Sequence, residues 1–132
     1  MKSDYQIIGR STFPRERPEP SAPTVNFSAV TGVVYFSKAA CSLLNLSTGD
    51  RVLIARDRRD PLKIGFFKTT DEEGLKLRAK RCGQCFTAAR LVRNILPVFG
   101  TTSNKTVQLG TEPEDGIFWI LRSSVDKRTW AR

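Results

Sequence analysis

The sequence predicts an α+β, strand-rich fold in which two strand–helix–hairpin pseudo-repeats form one small barrel-like or sheet-plus-helices domain. Three observations predict it. Short runs of β-branched and aromatic residues, such as 33–36 and 51–56, recur with turn residues between them. Two stretches carry helical apolar spacing directly behind a hydroxyl residue, Ser37 and Thr87. The order of pieces in 32–68 then returns in 83–122, with Phe36-Ser37 matching Phe86-Thr87 and Ala39 matching Ala89.

Taken in order, residues 1–24 are expected to form a flexible arm. Residues 11–24 hold four prolines, which remove backbone donors and fix φ, so this stretch is unsuited to a sheet interior. Residues 5–8 read as an edge strand or a mobile end, and Arg10, Arg15 and Arg17 are nearly offset by Glu16 and Glu19. The globular domain is expected over 25–122. Residues 25–30 and 33–36 read as a hairpin through Thr31-Gly32. Ser37 caps a helix whose Ala39, Ala40, Leu43 and Leu44 share one face, and Gly49 supplies the positive φ of the reversal into 51–56. That run is apolar on both sides (Val52 and Ile54; Leu53 and Ala55), which predicts a buried central strand.

An exposed turn, 57–61, leads into a strand at 63–68. Residues 75–81 show the clearest alternation, with Leu75, Leu77 and Ala79 on one side and Lys76, Arg78 and Lys80 on the other. Thr87 is expected to cap a helix at 88–96, where Ala88, Leu91, Val92, Ile95 and Leu96 follow helical spacing until Pro97 ends it. A final strand pair, 105–110 and 117–122, is joined by the acidic turn 112–116. Residues 123–132 read as a polar tail pinned by Trp130.

Composition narrows the function. One domain fits in 132 residues, and no apolar run is long enough to span a bilayer. No secretory leader is visible after Met1, so a cytoplasmic protein without membrane partners is expected. Lys and Arg number 22 against 13 Asp and Glu, for a net charge of +9. The excess is concentrated: residues 51–93 carry a net +7 and each flank only +1. A field of that kind attracts polyanions, nucleic acid first.

Histidine is absent, which removes the commonest general base and metal ligand. No cofactor motif is present, and zinc lacks a fourth ligand beyond Cys41, Cys82 and Cys85. Cys82-Gly83-Gln84-Cys85, placed before the second helix, has the CxxC spacing of a dithiol oxidoreductase and resembles the thioredoxin-type motif, although the usual preceding tryptophan is missing. The alternative is two reduced thiols packing as small apolar groups.

The cation and aromatic pattern carries more. If 63–68 pairs with 75–81, one face gathers Lys63, Phe67, Lys76, Arg78 and Lys80, with Arg81 beside them and Arg56, Arg58 and Arg59 at the neighbouring turn. Cations around a ring can stack unpaired bases while holding their phosphates. An edge strand protected by Lys and Arg gives the same pattern without a ligand.

Residues 32–57 resemble AbrB/MazE-type swapped-hairpin DNA-binding domains, with Leu44-Asn45-Leu46-Ser47-Thr48-Gly49-Asp50-Arg51-Val52 matching their turn. The resemblance implies a DNA-binding dimer of interleaved units, or a monomeric pseudo-dimer if the repeat supplies both copies. Residues 51–96 are similar in strand and helix order to whirly and PUR-type single-stranded nucleic-acid binders. The expected function is therefore non-enzymatic nucleic-acid binding, DNA rather than RNA, in a transcriptional regulator or a phage or mobile-element accessory protein. Two other readings stand beside it: a protein-interaction module (antitoxin-like or structural), and a dithiol oxidoreductase.

Overall fold

The structure, a computed structural model, describes residues 22–125. Residues 1–21 of the expected arm (1–24) and 126–132 of the expected tail (123–132), with Trp130, lie outside the described residues; the arm's last residue, Thr24, instead opens a strand, and the tail's first three are helical. Strand β1 (Thr24–Phe27) and strand β2 (Val33–Phe36) form the expected hairpin, with Val25 opposite Phe36 and Phe27 opposite Val34. Gly32 turns this hairpin at φ +72°, and a Cβ there would lie 2.6 Å from the Ala89 Cα. Glycine thus serves both the turn and the close approach of the second helix. Helix α1 (Lys38–Leu44) opens as expected, because the Ser37 hydroxyl accepts from the amides of Ala40 (3.2 Å) and Thr24 (3.0 Å). Asn45 closes it in the left-handed region at φ +57°, and Gly49 at φ +93° supplies the reversal. Strands β3 (Arg51–Arg56) and β4 (Ile64–Thr69) then pair antiparallel over six residues.

The run 75–81 departs from expectation. It is two strands, β5 (Leu75–Lys76) and β6 (Arg78–Lys80), separated by buried Leu77. β5 pairs with β3 and β6 with β7 (Gly83–Thr87), so neither pairs with β4. The alternation is kept in part: Leu77 points inward and Lys76, Arg78 and Lys80 are exposed, whereas Ala79, expected inside, is exposed at the sheet edge. Leu77 is clamped on both sides, its carbonyl accepting from the Gly49 amide (3.0 Å) and its amide donating to the Asp50 carbonyl (2.8 Å). A pattern of period two reveals facing and says nothing about which neighbour supplies the hydrogen bonds.

Helix α2 (Ala89–Ile95) begins one residue later than expected, and its N-cap is Ala88 without a side-chain bond. The Thr87 hydroxyl instead accepts from the Arg78 guanidinium at 2.7 Å. Pro97 ends the α-helix as expected, although a 3-10 turn (Leu96–Phe99) carries the chain on to Gly100. Strands β8 (Lys105–Gln108) and β9 (Phe118–Trp119) do not form a regular hairpin. They belong to different sheets and meet through the bridges Leu109–Ile120 and Glu114–Ile117. A short helix α3 (Arg122–Val125) follows.

The nine strands of the described residues form two sheets, ordered β6-β7-β2-β1-β8 and β5-β3-β4-β9. They do not close into a barrel. They touch at both borders: the chain steps from β5 to β6 on one side, and the Leu109–Ile120 bridge joins β8 to β9 on the other. The core fills the space between them. Phe66 of β4 lies 5.2 Å from Phe36 and 6.4 Å from Phe27 of the opposite sheet (ring centroids), and Phe99 packs edge-on to Phe27 at 5.4 Å. Edge-to-face geometry is favourable for such rings. No helix among the described residues is long and apolar enough to cross a membrane.

Two turns are held by carboxylates that titrate low. Asp50 Oδ2 accepts from the Ser47 amide at 2.8 Å and pairs with Lys68 at 3.3 Å; the amide bond first, then Lys68, lowers its pKa. Asp57 Oδ1 accepts from the Arg59 amide at 2.7 Å, the main reason its pKa is lowered too. A carboxyl whose folded pKa lies below its unfolded value stabilises the fold above the unfolded pKa and loses that contribution as pH falls through the folded one. Stability should therefore decline below about pH 4, and the decline should be shallower in Asp50→Asn than in the parent, as read from urea melts at stepped pH.

Candidate nucleic-acid interface

The four-stranded sheet has two unlike faces. Val52, Ile64 and Phe66 point into the core. Side chains alternate along a strand, so Arg51, Leu53 and Ala55 of β3 and Gly65, Phe67 and Thr69 of β4 point outward. Pairing arranges them in rows across the sheet. Lys76, Arg51 and Thr69 form the first row, Leu53 and Phe67 the second, and Ala55, Gly65 and Trp119 the third. Leu53, Phe67 and Trp119 are half-buried and none packs on the core cluster, whereas Phe118, one residue away, does.

Each side chain on this face has a local reason for its position. Trp119 lies over Gly65, where a Cβ would meet its Cε3 at 2.9 Å, so any larger residue would push the indole away. Its Nε1 donates to the Glu114 carbonyl at 3.3 Å. Lys63 places its ammonium 4.9 Å from the indole centroid and 3.3 Å from the Glu114 carboxylate. Arg51 donates to the carbonyl of Gly74 at 2.8 Å, which holds it along the β4–β5 turn. Lys76, directly opposite Arg51, is exposed and has no carboxylate partner among the described residues.

The expected binding residues are only partly brought together. Lys63, Phe67 and Lys76 share the outer face. Arg58 and Arg59 are exposed in the β3–β4 turn, and neither they nor Arg56 forms an ion pair among the described residues. Arg56 belongs to the opposite side of β3, where with Ile54, Ile64, Leu91, Asn94 and Ile95 it lines a groove of about 250 Å3 against α2. Arg78, Lys80 and Arg81 stand on the border of the other sheet, on the outside of the same chain edge as Lys76. The single five-residue cluster expected from pairing 63–68 with 75–81 is therefore replaced by an edge group around Leu77 (Lys76, Arg78, Lys80 and Arg81), with Lys63, Arg58 and Arg59 at the opposite end of β3 and β4.

Sequence reasoning missed Trp119, Leu53 and Arg51 as members of this face. β3 is central, as expected, but Leu53 and Ala55 are half-buried on its outer side, so the strand is not buried on both faces. The weak alternation of Arg51, Leu53 and Ala55 with Val52 and Ile54 was the available signal.

The CxxC geometry differs from the oxidoreductase expectation. Exposed Cys82 lies in the β6–β7 turn and buried Cys85 inside β7, so the motif crosses a hairpin instead of opening a helix. Burial pushes the Cys41 thiol above its ordinary pKa.

No protein-family model, curated protein or solved structure matches the chain.

Proposed function

We propose that this protein binds nucleic acid, DNA in preference to RNA, and acts as a binding protein and not an enzyme. The observation that carries the reading is the set of exposed cations along one edge, Lys76, Lys80 and Arg81, none in an ion pair with a carboxylate among the described residues. Like charges gathered without counter-charges repel one another, and a phosphate backbone relieves that repulsion. The three ion pairs of the described residues engage Lys63, Lys68 and Arg122 and leave those three cations open.

The resemblance of 32–57 to swapped-hairpin DNA-binding domains favours the same partner. The antiparallel pairing of β2 with β7, the opening strands of the two similar stretches, is what a duplicated unit folding as a pseudo-dimer would produce. The test is fluorescence anisotropy with labelled single-stranded DNA, duplex DNA and RNA at about 50 and 200 mM salt. Binding at micromolar protein that weakens steeply with salt is expected. Absence of any salt-sensitive shift with all three would overturn the reading in favour of a protein-interaction module.

A further inference from the structure

Resting on the nucleic-acid reading, we propose that the outer face of the four-stranded sheet receives a single-stranded segment, with bases stacked on Phe67 and Trp119 and phosphates against Lys76 and Lys63. The face has the parts such a ligand needs. Two half-buried aromatic side chains outside the core cluster lie on adjacent strands, offset by one row. From strand spacing and rise, their Cα atoms are about 8 Å apart, so a strand crossing diagonally can offer each ring its own base. Leu53, directly opposite Phe67, widens the apolar floor beneath the first base.

A duplex fits this face poorly. Its bases hide their flat surfaces in their own stack and present only edges and phosphates, so aromatic side chains on an open sheet gain little from it. Unpaired bases expose those surfaces. The first row carries Lys76 and Arg51, while the far corner carries Glu112, Glu114 and Asp115, all exposed. Phosphates are drawn to the first row, while at the far end those carboxylates are mixed with Lys63, Arg58 and Arg59.

Lys63 occupies the Trp119 ring in the free protein through an exposed cation–π contact and a surface ion pair with Glu114. Both contacts are weak beside base–aromatic stacking. An arriving base displaces the ammonium, which is then free to meet the phosphate attached to that base.

The experiment compares the parent protein with oligothymidylate of about eight nucleotides, an abasic strand of equal length and charge, and a duplex. It adds Phe67→Leu and Trp119→Leu with the conservative Phe67→Tyr and Trp119→Phe, each checked for fold by circular dichroism. Oligothymidylate is expected to bind at least about tenfold tighter than the abasic strand or the duplex. Each leucine variant should lose about tenfold on oligothymidylate, and the aromatic variants should stay within about threefold of the parent. If the three ligands bind the parent alike, stacking is overturned while nucleic-acid binding stands. That comparison needs no variant, so a misfolded substitution does not blunt it. If none of the three binds, both readings fall together.

Discussion

Phe66→Ala should cost about 3–5 kcal/mol of folding stability, enough to bring a domain of this size close to unfolding. Phe66 is fully buried in the middle of β4 and touches ring systems of the opposite sheet, Phe36 at 5.2 Å and Phe27 at 6.4 Å. Truncation removes the ring contacts of β4 with Phe36 and Phe27 and leaves a space that neighbouring β-sheet backbone cannot collapse into. Layered strands are pinned by their hydrogen bonds, so the cavity persists and its full cost is felt. A urea melt of Phe66→Ala beside Val30→Ala is the measurement. Val30 is 89% exposed, and its truncation should leave the midpoint unchanged. A loss under about 1 kcal/mol for Phe66→Ala would mean that the sheets do not share one core.

The combined substitution Lys76→Ala, Arg78→Ala and Lys80→Ala should weaken nucleic-acid binding by about 100-fold at 0.1 M salt, and by little as salt approaches 1 M. Each cation that neutralises one phosphate contributes roughly 0.7 to the log–log salt slope for a single strand. Three such contacts flatten the slope by about 2, and extrapolation from 1 M to 0.1 M gives the fold-change. Exposure makes the substitution safe for the fold, since none of the three belongs to the core. Arg78 is the one with an internal partner, the Thr87 hydroxyl, but its guanidinium keeps further donors for a phosphate. An unchanged slope would exclude this edge from the contact surface.

Local structure was legible wherever a residue's chemistry acts on its immediate neighbours. Ser37 caps α1, Gly49 turns the chain and Arg51–Arg56 is a strand, because each outcome depends on backbone geometry within a few residues. Partners distant in sequence were not legible. Thr87 has the right chemistry to cap α2, but Arg78 from the next strand takes its hydroxyl, and the helix opens uncapped. Leu77 looked like one more inward residue of a single strand, yet there the chain leaves one sheet and joins the other.

The candidate site shows the same division. That Lys76, Arg78 and Lys80 would be exposed followed from their alternation. That Phe67 shares a face with Trp119 follows from the pairing of Gly65 with Trp119 across half the chain. No local pattern encodes that pairing. The helix-start reading of Cys82–Cys85 failed for a related reason, since a glycine between two cysteines serves a hairpin as readily as a helix.

The double clamp on Leu77 by Gly49 and Asp50 leaves this crossing without slack. The Asp71-Glu72-Glu73 bend is exposed and only joins two strands of one sheet, so a change of length there leaves the facing of both sheets intact. Adding or deleting a single residue beside Leu77 would instead invert the facing of whatever follows, turning Arg78 and Lys80 onto the sheet face that Ala79 now occupies. Insertions tolerated by this chain should therefore accumulate in the acidic bend and avoid the crossing, where chain length and charge placement are set by the same residue.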